Sequence, residues 1–76
     1  MEVLIIFEND FNCDRILEKF KNKQVTINLF PLTSNYLIID RVHQQFSEVS
    51  NIKINSIKSA KLINQEVINM QKNKFY

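Results

Sequence analysis

Glycine is missing from all 76 residues, and the chain has one proline and one cysteine. Glycine is the residue that reaches positive φ freely and lets a backbone press against a ligand. Its absence excludes the phosphate-binding loop, the dinucleotide fingerprint and any glycine-rich lid. The lone Cys13 excludes an internal disulfide, so a core or an oligomer interface must supply the stability. No apolar run approaches the roughly 20 residues that span a bilayer. Met1-Glu2 is acidic where a secretory signal is basic, and the apolar run that follows is too short for one. These absences lead to the expectation of a reduced, cytoplasmic protein with no membrane segment and no cofactor.

What is present suits a single small α/β domain spanning 1–76. Hydrophobic residues make up 45% and charged residues 24%, ordinary values for a folded chain. Ten asparagines stand in for glycine, since asparagine is the next most tolerant of left-handed backbone. Net charge is +2, unevenly spread. Residues 1–50 hold five basic and seven acidic side chains, and residues 51–76 hold five lysines against Glu66 alone. Such an imbalance fits an acidic partner, or simply a solvated lysine face.

Glu2-Val-Leu-Ile-Ile-Phe7 reads as a strand covered on both faces, because it leaves no polar side. Asn12 is placed to cap a helix whose stripe is Cys13, Ile16, Leu17 and Phe20, with Asn22 as its stop. Val25, Ile27 and Leu29 alternate with Thr26, Asn28 and Phe30, which predicts a second strand ended by Pro31. Strand, helix, strand with short links predicts a parallel βαβ unit. Ser34 opens a helix with the stripe Ile38, Ile39, Val42, Phe46 and Val49. The alternative is an α+β arrangement with residues 36–39 as a strand. Ile52-Lys-Ile54 predicts a short strand. A final helix then carries Ile57, Ala60, Ile63, Val67 and Met70, flanked by Leu62 and Ile68. The expected order is βαβαβα, with a small, mostly parallel sheet.

Val3 to Asn12, with acids at Glu8 and Asp10, resembles the opening of a two-component receiver domain, and Leu37-Ile-Ile-Asp40 resembles its phospho-acceptor strand. The resemblance covers about fifteen residues. Glu8, Asp10 and Asp14, at the carboxyl end of the first strand and the start of the next helix, are of the type that holds Mg²⁺. The resemblance fails elsewhere: the segment between the second and third strands is too short for the receiver's second helix, and the later strands that would carry the lysine are missing. Cys13 occupies the place of the attacking cysteine in thioredoxin-like folds, but its helix lacks the second cysteine. Its acidic neighbours Asp10 and Asp14 oppose a thiolate. His43 is the only histidine, and nothing in the spacing completes a metal site or a nucleophilic triad.

Three functions remain. The first is a small non-enzymatic protein-interaction module, inhibitor or accessory protein, binding a partner or itself as a homodimer. Its expected contact residues are Leu62, Ile68, Met70, Phe75 and Tyr76, since the last helix looks more apolar than a small sheet can cover. The second is a nucleic-acid binder using Lys53, Lys58, Lys61, Lys72 and Lys74, with Phe75 and Tyr76 as stacking surfaces. The third is the opening βαβ part of a larger nucleotide-binding enzyme.

Overall fold

The computed structural model describes residues 1–33, 35–57 and 65–70. The element order is β1 (Glu2–Phe7), α1 (Asp14–Lys19), β2 (Val25–Pro31), α2 (Tyr36–Ser47), β3 (Ile52–Ser56) and β4 (Glu66–Asn69). The strands form one sheet in the order β3-β2-β1-β4, and every pairing is parallel. The domain is therefore α/β, as the alternation of strand and helix patterns predicts.

β1 lies inside the sheet, with β2 on one side and β4 on the other. Val3, Leu4 and Ile5 are fully buried, as expected of a strand without a polar side. The register puts Val3, Ile5 and Phe7 on one face with Val25, Ile27, Leu29 and Ile52. Cys13, Ile16 and Phe20 from α1 and its ends, and Val42 and Phe46 from α2, join these residues in one core. The second face carries Leu4, also fully buried, beside Asn28 in the register. There the Asn28 amide donates to Glu2 Oε1 at 2.9 Å, and Asn55 donates to Asn28 Oδ1 at 3.3 Å. A row of polar groups on three neighbouring strands thus satisfies itself on that face.

Local signals explain the helices. Asn35 caps α2: its side chain accepts from the backbone N–H groups of Leu37 and Ile38 at 3.0 and 3.3 Å, and Ser34, the expected start, lies outside the described residues. Val42 and Phe46 are buried, while Ile38, Ile39 and Val49 pack half-buried against the core, so the expected stripe is the packed one. Asn12 Oδ1 accepts from the Asp14 N–H at 2.8 Å, and Cys13 takes the capping position next to it. After α1 the chain turns at Asn22 with φ 69°, the one positive φ among the described residues. Asparagine thus does here what glycine does in most proteins.

Three expectations are corrected. Residues 36–39 are helical, so the α+β alternative fails. For the same reason Leu37–Asp40 is not a phospho-acceptor strand, and Asp40 sits exposed on a helix. The final helix fails over its second half, because Glu66–Asn69 is a strand paired with β1. The physical cause is the interior position of β1. Its second edge offers backbone donors and acceptors that must be satisfied, and a short β-branched segment can do so. Residues 58–64, including Ala60, Leu62 and Ile63 of the expected stripe, lie outside the described residues.

Candidate interaction surface

All four strands run in one direction, and the segments after β1 and β2 leave the sheet at its carboxyl end. The order β3-β2-β1-β4 also reverses direction between β1 and β4. Open parallel sheets bind ligands outside the carboxyl ends of their strands at such a reversal. Here that end carries an open hollow of about 460 Å³ lined by Asp10, Phe11, Asn12, Asp14 and Gln45. Phe11 meets Phe7 edge to face at 5.3 Å, which fixes the hollow's apolar wall. Arg41 of α2 donates to Asp10 at 2.8 Å, and Gln45 of α2 accepts from the Cys13 N–H at 3.3 Å.

This hollow is poorly suited to a phosphate. Two N–H groups at the start of α1, those of Cys13 and Asp14, already donate to Gln45 and Asn12. Asp10 and Asp14 add negative charge, with one arginine against them. The arrangement holds loops together and repels an anion. Among the described residues, no three His, Cys, Asp or Glu side chains group as a metal site.

Cys13 is fully buried. Burial pushes its thiol up to about 12, with Asp10 and Asp14 adding to the rise. A thiol held neutral is a poor nucleophile. Its Sγ lies 3.9 Å from the Phe11 carbonyl, a weak contact inside the core. His43 Nε2 lies 2.8 Å from Ser56 Oγ, tying α2 to the end of β3. Neither His43 nor Ser56 has a carboxylate among its described hydrogen-bond partners.

The larger departure from an ordinary surface is apolar. Tyr36 is 76% and Leu37 74% exposed, and Leu32 just before them is 46% exposed. Leu32 follows β2, and Tyr36 and Leu37 form the first turn of α2, so all three belong to the carboxyl end of the sheet. The chain from Gln24 through Ile39 has no charged side chain at all. Sequence reasoning passed over this patch, although a signal was available. Leu37 stands four and seven positions before Arg41 and Gln44, both exposed, which places it on the polar side of α2.

Of the contact residues expected from sequence, Ile68 and Met70 come together. They line a groove of about 430 Å³ with Arg15, Ile16 and Lys19 of α1. Leu62, Phe75 and Tyr76 lie outside the described residues. Of the five lysines proposed for nucleic acid, Lys53 is exposed on β3, on the face of Thr26. Lys58, Lys61, Lys72 and Lys74 lie outside the described residues. Among the described residues no helix is long and apolar enough to cross a membrane. No protein-family model, curated protein or solved structure matches the chain.

Proposed function

We propose that this domain is a small protein-interaction module, acting by binding a protein partner or a second copy of itself, with no chemistry of its own. The observation that carries the reading is the exposure of Tyr36 and Leu37 on the first turn of α2, with Leu32 exposed four residues earlier in the chain. Single exposed apolar residues are commonplace, but three large ones grouped in an uncharged stretch have the character of a docking patch. Tyrosine is also among the residue types that most often anchor protein interfaces. The Asn35 cap holds the first turn of α2 in place, so little ordering is needed on contact.

The neutral, buried Cys13 thiol and the anion-repelling hollow favour binding over catalysis. A reduced, cytoplasmic setting belongs to the same reading and rests on that single buried thiol.

The test is site-specific photo-crosslinking with benzoylphenylalanine in place of Tyr36, and in place of the exposed Glu48 as control. The proposal expects a discrete adduct from position 36, either with a second copy or with one other protein, and none from position 48. Equal, diffuse labelling at both positions, or no adduct at 36, overturns it.

A further inference from the structure

The apolar turn at Tyr36 and Leu37 has acidic neighbours. Asp40 is exposed on α2, four positions after Tyr36 and three after Leu37, so it adjoins both on the helix surface. Arg41, four positions after Leu37, reaches from the same helix to Asp10 at 2.8 Å. Asp10 in turn shares its hollow with Asp14. The Leu32 N–H donates to the Phe7 carbonyl at 2.8 Å, which ties the segment before α2 to the one that continues into the exposed Glu8. Residues 8–14 and 32–41 together carry four carboxylates and one cation, Arg41. Arg41 is engaged with Asp10, while Glu8, Asp14 and Asp40 take part in none of the ion pairs among the described residues.

We infer that the occupant of this turn is a basic segment of another protein, bringing a large apolar side chain to Tyr36 and Leu37 and lysine or arginine to Asp40 and the acids beyond it. The inference rests on the reading of the turn as a protein-binding surface and names the chemistry of what it binds. Apolar contact at the centre supplies affinity, and opposite charge around it speeds encounter and selects the partner. An acidic segment is rejected by the same carboxylates, since like charges set against one another discriminate between partners. A second copy joined by a two-fold axis presents the same surface to itself. Through this turn that would oppose Asp40 and its acidic neighbours to their own copies, so the charge favours a different protein.

The test uses the intact, isotopically labelled chain and two acetylated, amidated helical peptides. Both carry leucine along one face, flanked by lysine in one peptide and by glutamate in the other. Binding is followed through amide chemical shifts. The inference expects the lysine peptide to shift Tyr36, Leu37, Asp40 and Asp10, with an affinity that falls as salt rises. The glutamate peptide should leave them in place. Asp40→Asn should weaken the lysine peptide about threefold, the scale of one exposed charge pair. Asp40 is exposed, so the variant keeps the fold, which its otherwise unchanged spectrum verifies. Equal binding of the two peptides at these residues overturns the inference and leaves a protein-binding surface without charge preference. A two-fold dimer through position 36, seen by crosslinking and sedimentation, does the same. Indifference to Asp40→Asn, shifts confined to other elements, or no binding by either peptide also overturns it. The reading of the turn as a protein-binding surface falls separately, with the crosslinking from position 36.

Discussion

The side-chain amide of Asn51 reaches back 28 residues to the turn after α1, donating to the Lys23 carbonyl at 2.7 Å. It donates also to the Phe20 carbonyl at 3.1 Å. Phe20 caps the end of α1 and its carbonyl also accepts from the Lys23 N–H at 3.1 Å, so the Asn51 amide adds a second donor there and ties the turn after α1 to the start of β3. Asn51 also accepts from Val25 through its backbone, at 3.0 Å. It thus fixes where β2 and β3 begin relative to α1. Asn51→Ala should cost about 0.5–1.5 kcal/mol, the net worth of a lost hydrogen bond, since the Phe20 carbonyl keeps the Lys23 N–H and the Lys23 carbonyl is open to water. Denaturant melts of the two proteins provide the comparison, and unchanged stability would show that water replaces the amide without loss.

Asn22 supplies the one left-handed turn among the described residues, at φ 69°. Asn22→Gly should be neutral or slightly stabilising, because glycine has no Cβ to oppose that φ. Asn22→Ala should lose about 1 kcal/mol for the same reason in reverse. The order of thermal midpoints, glycine at or above asparagine and both above alanine, is the expected outcome. Alanine melting with or above glycine would mean that the turn relaxes to negative φ.

Ile5 is fully buried on the face that meets the helices, in the strand with a neighbour on each side. Ile5→Ala should cost about 2–5 kcal/mol. A domain of this size has little stability to spare, so the variant should be largely unfolded at physiological temperature. Circular dichroism melting decides the matter, and a midpoint equal to the parent's would contradict the position of β1.

Cys13 should react slowly with thiol reagents at neutral pH, at the rate of global or local opening. Its folded pKa lies near 12 against an ordinary 9.0. The folded state therefore holds the proton more tightly than the unfolded state. The stabilisation is fully present below pH 9 and is lost as pH rises towards 12, by up to about 1.4 kcal/mol per pH unit. Cys13→Ala should remove that part of the alkaline slope while leaving the slope below pH 9 unchanged. Rapid labelling of the native protein, or identical alkaline slopes, would show an accessible thiol.

Much of this architecture was written in local patterns. The unbroken apolar run of β1 announced an interior strand, and the strict alternation from Val25 to Phe30 announced a sheet with one well-packed face. For residues 36–47 the strand preference of Tyr36-Leu-Ile-Ile39 competed with a helical stripe of fourteen residues, and the longer period prevailed. β4 was not legible. Val67 and Met70 fit a helical spacing, while Glu66, Val67, Ile68 and Asn69 also alternate between half-buried and exposed. Four residues are too few for periodicity to decide, and what decides is the unsatisfied edge of β1, a fact of the tertiary structure. The Tyr36–Leu37 surface was hidden for a related reason. Apolar residues are read as core until the facing of the helix is known, and that facing depends on where Val42 and Phe46 pack.

The central claim is that the exposed turn at Tyr36 and Leu37 binds protein, and affinity measures it most directly. The species captured through position 36, a second copy or another protein, is titrated against the parent chain and against Leu37→Asp. Leu37 is 74% exposed, so the substitution should leave the melting midpoint unchanged. The account predicts at least about a tenfold loss of affinity, corresponding to 1.4 kcal/mol or more at an anchoring residue. Equal affinity of the two proteins, with both folded, would contradict it.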